Sequence, residues 1–90
     1  MAERWQRNPA ISETAVDDEM FLVEPESQEV FYLDRIASGL WRILAAPQDE
    51  ADLVALFAAA FPDTPRPTIA RDIAAALAEL KRRNLVVSVT

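Results

Sequence analysis

Two short apolar runs, Met20-Phe21-Leu22-Val23 and Val30-Phe31-Tyr32-Leu33, flank a polar stretch, residues 24–29, that contains Pro25. Apolar, aromatic and β-branched runs split by a Pro-containing polar turn read as a β-hairpin. Pro25 presets φ for a turn and has no place inside a paired central strand. Asp34 follows at once, an N-cap type of residue. Beyond it Ile36, Leu40, Ile43 and Leu44 recur at helical spacing, with Ala37 and Trp41 beside them. The pattern therefore predicts a hairpin that runs straight into a helix. Both strands are apolar on both faces, whereas a hairpin with one wet face alternates apolar and polar. Either the rest of the chain covers both faces, or one face or edge waits for a partner.

The remaining segments are easier to place. Residues 1–8 are polar around Trp5 and read as a loose N-terminal arm, with Trp5 either folded back or on the surface. Ile11, Thr14 and Val16 fit a short strand, and Asp17 and Asp18 mark a turn into the hairpin. The first helix is expected over residues 34–46, ended by Pro47, because the residue before a proline avoids the α region. Gly39 inside it costs stability relative to Ala, which points either to close packing or to mere tolerance. A second helix opens at Gln48-Asp49-Glu50 with acid in its first turn, where the macrodipole favours it. Leu53, Leu56, Phe57, Ala60 and Phe61 form its expected stripe, with Val54 on the flank. Residues 62–67 hold three prolines and read as a stiff break.

Thr68 is a good N-cap for a third helix, in which Ile69, Ile73, Leu77 and Leu80 recur as the core stripe. Lys81, Arg82 and Arg83 close it, where positive charge complements exposed carbonyls. That placement accounts for the basic cluster without a phosphate partner. Asn84 suits a left-handed cap, and residues 85–89 read as a short terminal strand. The expected fold class is α+β: a small winged-helix-like domain over residues 9–90, a three-stranded antiparallel sheet followed by three helices and a short C-terminal strand.

Composition narrows the chemistry. The chain has 90 residues, which is one domain, and 51% of them are hydrophobic, enough for a core. It has no Cys and no His. That removes disulfides, the usual zinc sites, and Ser-His or Cys-His nucleophile pairs. A single Gly excludes a glycine-rich phosphate loop. The net charge is −6, against the basic face that phosphate binding requires. Carboxylates are plentiful, but no motif pairs two of them across a cleft, and the acidic run at residues 17–19 lacks calcium-loop spacing. The reading is a non-enzyme without metal or cofactor. No apolar run of membrane-spanning length is present, so a cytoplasmic protein is expected.

A binding module fits these facts. Exposed sheet edges are usually blunted by charge, proline or a cover, and Val30, Phe31, Tyr32 and Leu33 carry none of these. An extended peptide could add to such an edge as a further strand. One flank of the third helix, with Asp72, Ala75, Ala76, Glu79 and Arg83, suits the opposite wall, since small side chains let a backbone approach between polar anchors. The other flank carries Ala70, Ala74 and Lys81. Equally, these alanines could simply pack on the first two helices. A free edge also predicts strand pairing or hairpin exchange between two copies.

The chain resembles the pyrroloquinoline quinone biosynthesis protein D family, the peptide-recognition elements of ribosomal-peptide maturation. The resemblance rests on Phe21-Leu22-Val23, Pro25-Glu26, Val30 to Leu33, Asp34, Ala37, Ile43-Leu44, Phe61, Asp72-Ile73, Leu77, Leu80 and Leu85. Asp34 stands where Asn is common in the family, and Ala46-Pro47-Gln48 where an Asp-Gly turn is common. The resemblance implies a peptide chaperone. It binds the leader of a ribosomally made precursor as a strand beside the hairpin and against the third helix. It then presents the leader to a radical S-adenosylmethionine enzyme or another peptide-modifying enzyme. Two rival readings stand beside it: a winged-helix nucleic-acid binder using Arg71, Lys81, Arg82 and Arg83, and a docking subunit that meets an enzyme through Trp41, Phe57 or Phe61.

Overall fold

The hairpin is built as its pattern demands. In the computed structural model, which describes residues 3–17 and 19–89, β3 (Glu19–Glu24) and β4 (Glu29–Leu33) pair antiparallel with Leu22 opposite Phe31. Glu24 organises the turn: its carboxylate accepts from the backbone N–H of Glu26 and of Ser27, at 3.1 and 2.6 Å. These bonds, with the Ser27 hydroxyl first among them, hold the Glu24 carboxyl below its ordinary pKa. Gln28 takes the left-handed conformation at φ 60° and closes the loop. On the other side β2 (Ser12–Val16) pairs with β3, giving a sheet in the order β2-β3-β4. Asp17 turns left-handed between them; Asp18, expected in the same turn, lies outside the described residues.

Two departures from expectation concern the N-terminal segment and the start of the third helix. Within the segment expected as a loose arm, Arg4–Arg7 form strand β1, central in a second sheet, β5-β1-β6, between β5 (Gln48–Asp49) and β6 (Val86–Val89). Polar residues suit a sheet that is only half buried, and Trp5 supplies the anchor. It packs against the core, with the Lys81 ammonium 4.3 Å from its ring centre. The third helix, α3 (Arg66–Arg82), starts earlier than Thr68, with Pro65 as N-cap and no side-chain cap bond. Pro67 fits its first turn because a proline there gives up only an N–H that has no helical partner. Its far end is as expected, with Asn84 left-handed at φ 57°.

The core lies between the β2-β3-β4 sheet and the helices. Met20, Leu22 and Leu33 point inward from the hairpin, and Ile69, Ile73, Leu77 and Leu80 form the buried stripe of α3. In α1 (Arg35–Ile43) the buried positions are Leu40 and Trp41, continued by Leu44, with Ala37 half-buried. Ile36, expected at helical spacing with Leu40, Ile43 and Leu44, is 38% exposed. In α2 (Glu50–Ala60) only Leu53 and Phe57 are buried; Leu56 and Phe61 stay exposed because a single face of this outer helix meets the others. A capping box between Asp49 and Asp52 starts α2. Gly39 is a packing residue: a Cβ there would stand 3.1 Å from Cζ of Phe57.

Two bonds fix α1 to the β2-β3-β4 sheet. The Ser38 hydroxyl donates to the Leu33 carbonyl at 3.1 Å in a buried setting. Trp41 Nε1 donates to the Glu13 carboxylate at 2.7 Å, which Arg7 also approaches at 3.8 Å.

Candidate functional site: a groove between a sheet edge and the third helix

β4 is the outer strand of its sheet, and among the described residues no strand lies beyond it. Its pleat sends Leu33 into the core and half-buries Phe31, while Val30 and Tyr32 stand 62% and 58% exposed on the opposite face. The doubly apolar hairpin thus has one covered face and one open one. On the open face Tyr32 packs on its cross-strand neighbour Phe21, ring centres 5.5 Å apart.

Between the free edge and α3 runs a groove of about 610 Å³. Val30, Phe31, Tyr32 and Leu33 line one side, and Asp72, Ala75, Ala76, Glu79 and Arg83 line the other. The structure therefore brings together, in one groove, all nine positions that the sequence reading singled out. Ala76 also packs on the core, so the packing role foreseen for the alanines holds for it, whereas Ala75 is exposed. Lys81, on the other flank of α3, turns away to Trp5.

The groove also takes in Asp34, Ile36, Ala37, Leu80 and Leu85, which the sequence reading had assigned to caps or core or left out of the site. A signal for Ile36 existed. Ala37, Leu40, Trp41 and Leu44 already make a complete stripe at i, i+3, i+4 and i+7, and Ile36 falls off it. Asp34 caps α1 by accepting from the Ala37 N–H at 2.8 Å, which pins the far end of β4 to the helix.

Charge divides the groove along its length. Arg83 reaches across it, its guanidinium carbon 5.1 Å from the centre of the Phe31 ring, and donates to Glu79. Arg82 bonds the same carboxylate, and these two guanidinium groups, Arg82 foremost, hold Glu79 below its ordinary pKa. Asp72 stands two turns earlier on α3. One end of the groove therefore holds the Arg83–Glu79 ion pair, the other end Asp72, and the middle is walled by Ala75 and Ala76.

The rival residue sets fare differently. Arg71 lies 3.7 Å from Asp72, Lys81 sits over Trp5, and Arg82 and Arg83 bond Glu79, so these cations do not form an open basic face. Trp41 is 1% exposed and Phe57 is buried, which removes both as docking residues; only Phe61 of that set reaches the surface. Among the described residues there is no group of three or more acidic side chains placed to hold a metal, and no helix is long and apolar enough to cross a membrane.

Fold and groove define a class: small winged-helix-like α+β domains that leave a sheet edge free beside a helix. Residues 19–86 match the family described as Coenzyme PQQ synthesis protein D (PqqD), and the chain belongs to it. Two solved structures share its fold. One is TbiB1 in complex with the TbiA(beta) leader peptide, 26% identical, with a TM-score of 0.78 over 90% of this chain and 93% of that one. The other is lasso peptide synthetase B1 complexed with the leader peptide, also 26% identical, with a TM-score of 0.76 over 92% and 96%. No curated protein matches the sequence.

Proposed function

We propose that this domain is a recognition element for the leader of a ribosomally made precursor peptide. The leader adds as a fourth strand along β4 (Glu29–Leu33), and its side chains on one face meet α3. The observation that carries the reading is the groove itself. A free strand edge, uncharged from Val30 to Leu33, faces a helix wall whose small residues sit between polar ones. Strand addition draws affinity from main-chain hydrogen bonds and specificity from alternate side chains, and this groove offers both. The two similar proteins were solved with leader peptides, which supports the same use here. The domain is non-catalytic on this reading. It holds the leader so that a separate peptide-modifying enzyme, a radical S-adenosylmethionine protein or a peptidase, acts on the remainder of the precursor.

Isothermal titration calorimetry with the precursors encoded beside the gene tests it. A dissociation constant of about 1–100 µM is expected, as for a short peptide held by one edge and a shallow wall. If every such precursor gives no heat and no amide shifts at about 100 µM, the leader-binding reading is wrong.

A further inference from the structure

The groove accounts for the edge of β4 but not for the outer face of its sheet. Met20 and Leu22 point to the core, so the pleat turns Phe21 and Val23 the other way. The register sets Phe21 between Thr14 and Tyr32, and Val23 beside Val30. With Val16 these side chains make one patch across three strands. Val16, Val30 and Tyr32 leave 50%, 62% and 58% of their surface in water. A sheet face that meets only water carries polar residues at such positions. Contiguous exposed apolar patches mark interaction sites instead.

Charge selects the occupant. Residues 12–34, which span the three strands, their turns and the cap of α1, hold eight of the chain's fifteen Asp and Glu and none of its nine Lys and Arg. They carry −8 and the remainder +2, so the whole negative excess of the chain falls on this sheet. Glu13 is engaged by Trp41 and Arg7. Arg35 and Arg42 border the same pocket as Glu19 at the α1 end. The acids Glu24, Glu26 and Glu29 gather at the opposite end, around the hairpin turn, where Glu26 and Glu29 are exposed. Two copies meeting through this face would set −8 against −8, which disfavours a dimer. An apolar centre with acidic surroundings fits a surface of apolar centre and Lys/Arg surround. We propose that the outer face of the β2-β3-β4 sheet docks a second protein through such a surface, and that this protein is the enzyme that acts on the held precursor. The choice of that enzyme rests on the leader-binding reading; the face and its charge do not. Val30 and Tyr32 belong both to this face and to the groove lining. A leader added beside β4 sends every second side chain to the same face, so the docked protein lies against the peptide as well as the sheet.

Biolayer interferometry tests this with the peptide-modifying enzyme or peptidase encoded beside the gene as the probe. It is titrated with the wild-type domain, Thr14→Arg and Val16→Arg. Both positions are exposed and stand outside the groove lining, and circular dichroism melting verifies that both variants fold. Leader calorimetry runs on the same samples. Each arginine is expected to weaken enzyme binding about tenfold and to leave leader affinity unchanged. Raising salt from about 50 to about 500 mM should weaken wild-type binding to the enzyme. An enzyme that binds all three domains equally, or none of them, overturns docking at this face whatever the leader does. A wild-type dimer in sedimentation that Thr14→Arg dissolves overturns it too, because the face then joins two copies. A wild-type domain that binds the enzyme with the expected loss in both variants, but binds no leader, keeps the face and overturns the leader-binding reading.

Discussion

The β5-β1-β6 sheet gathers strands from the start, middle and end of the chain, whereas the β2-β3-β4 sheet is one continuous meander. In the first, the edges are short: β5 has two residues and β6 has four. Its centre, β1, is tied to the body by the Arg7 N–H bonded to Leu44 O and the Asn8 N–H bonded to Leu85 O, each at 2.9 Å. In the second, the edge strand β4 carries no charge between Glu29 and Asp34 and shows two large apolar side chains to water. The first sheet closes the chain on itself. The second is left open along one edge, and its neighbours α1 and α3 supply the other walls of the groove. Sheets of equal strand number thus divide the work of fastening and of exposure.

The largest expected effect breaks both at once. Leu85 is fully buried, borders the groove, and stands directly before β6, its N–H bonded to Leu80 O. Leu85→Ala should cost about 2–5 kcal/mol, seen as a lower urea midpoint with loss of both sheets together. Proline substitutions separate the two sheets. Gln6→Pro, in the central strand β1, removes a ladder donor and should destabilise by about 1–3 kcal/mol. In β4 successive amides alternate between β3 and the free edge. Of Phe31→Pro and Tyr32→Pro, one should therefore keep its thermal midpoint and still lose most leader affinity in calorimetry. If both keep wild-type affinity while folded, strand addition at this edge is wrong.

Smaller effects sharpen the contrast. Asp34→Ala removes the cap of α1 and should cost about 1 kcal/mol in denaturant melts, without changing the β5-β1-β6 amide shifts. The smallest concerns the hairpin turn. Glu24 has a folded pKa below its ordinary value of 4.5, so its contribution is present above that value and fades as pH falls through the lowered one. An amide titration by NMR should show Glu26 and Ser27 moving with a midpoint below 4.5, while β1 amides stay still. A midpoint at or above 4.5 would remove this role for the Glu24 carboxylate.

Much of this was legible in the order of residues. The hairpin, the helix directly after it, the α3 stripe and the left-handed Asn84 follow from local pattern, and the nine positions expected on the strand and helix flank all line the groove. What escaped was non-local. Arg4–Arg7 have no strand pattern of their own; they are a strand because Val86–Val89 and Gln48–Asp49 lie to either side. The exposed position of Leu56 depends on which helix faces meet, which periodicity alone leaves open. Pro65 as the start of α3 was missed because a stretch with three prolines was read as a stiff break, although one of them fits a helix's first turn.

The short junction between β4 and α1 has a consequence for affinity. Asp34 caps the helix at the point where the strand ends, and the buried Ser38 hydroxyl holds the carbonyl of Leu33. The edge is thereby locked in its extended shape before anything binds. Ordering a backbone residue costs about 1–2 kcal/mol. In strand addition here, that loss of freedom falls almost wholly on the incoming segment. A peptide stiffened in advance toward the extended form, by β-branched residues or a proline outside the paired stretch, should therefore gain affinity without a single new contact.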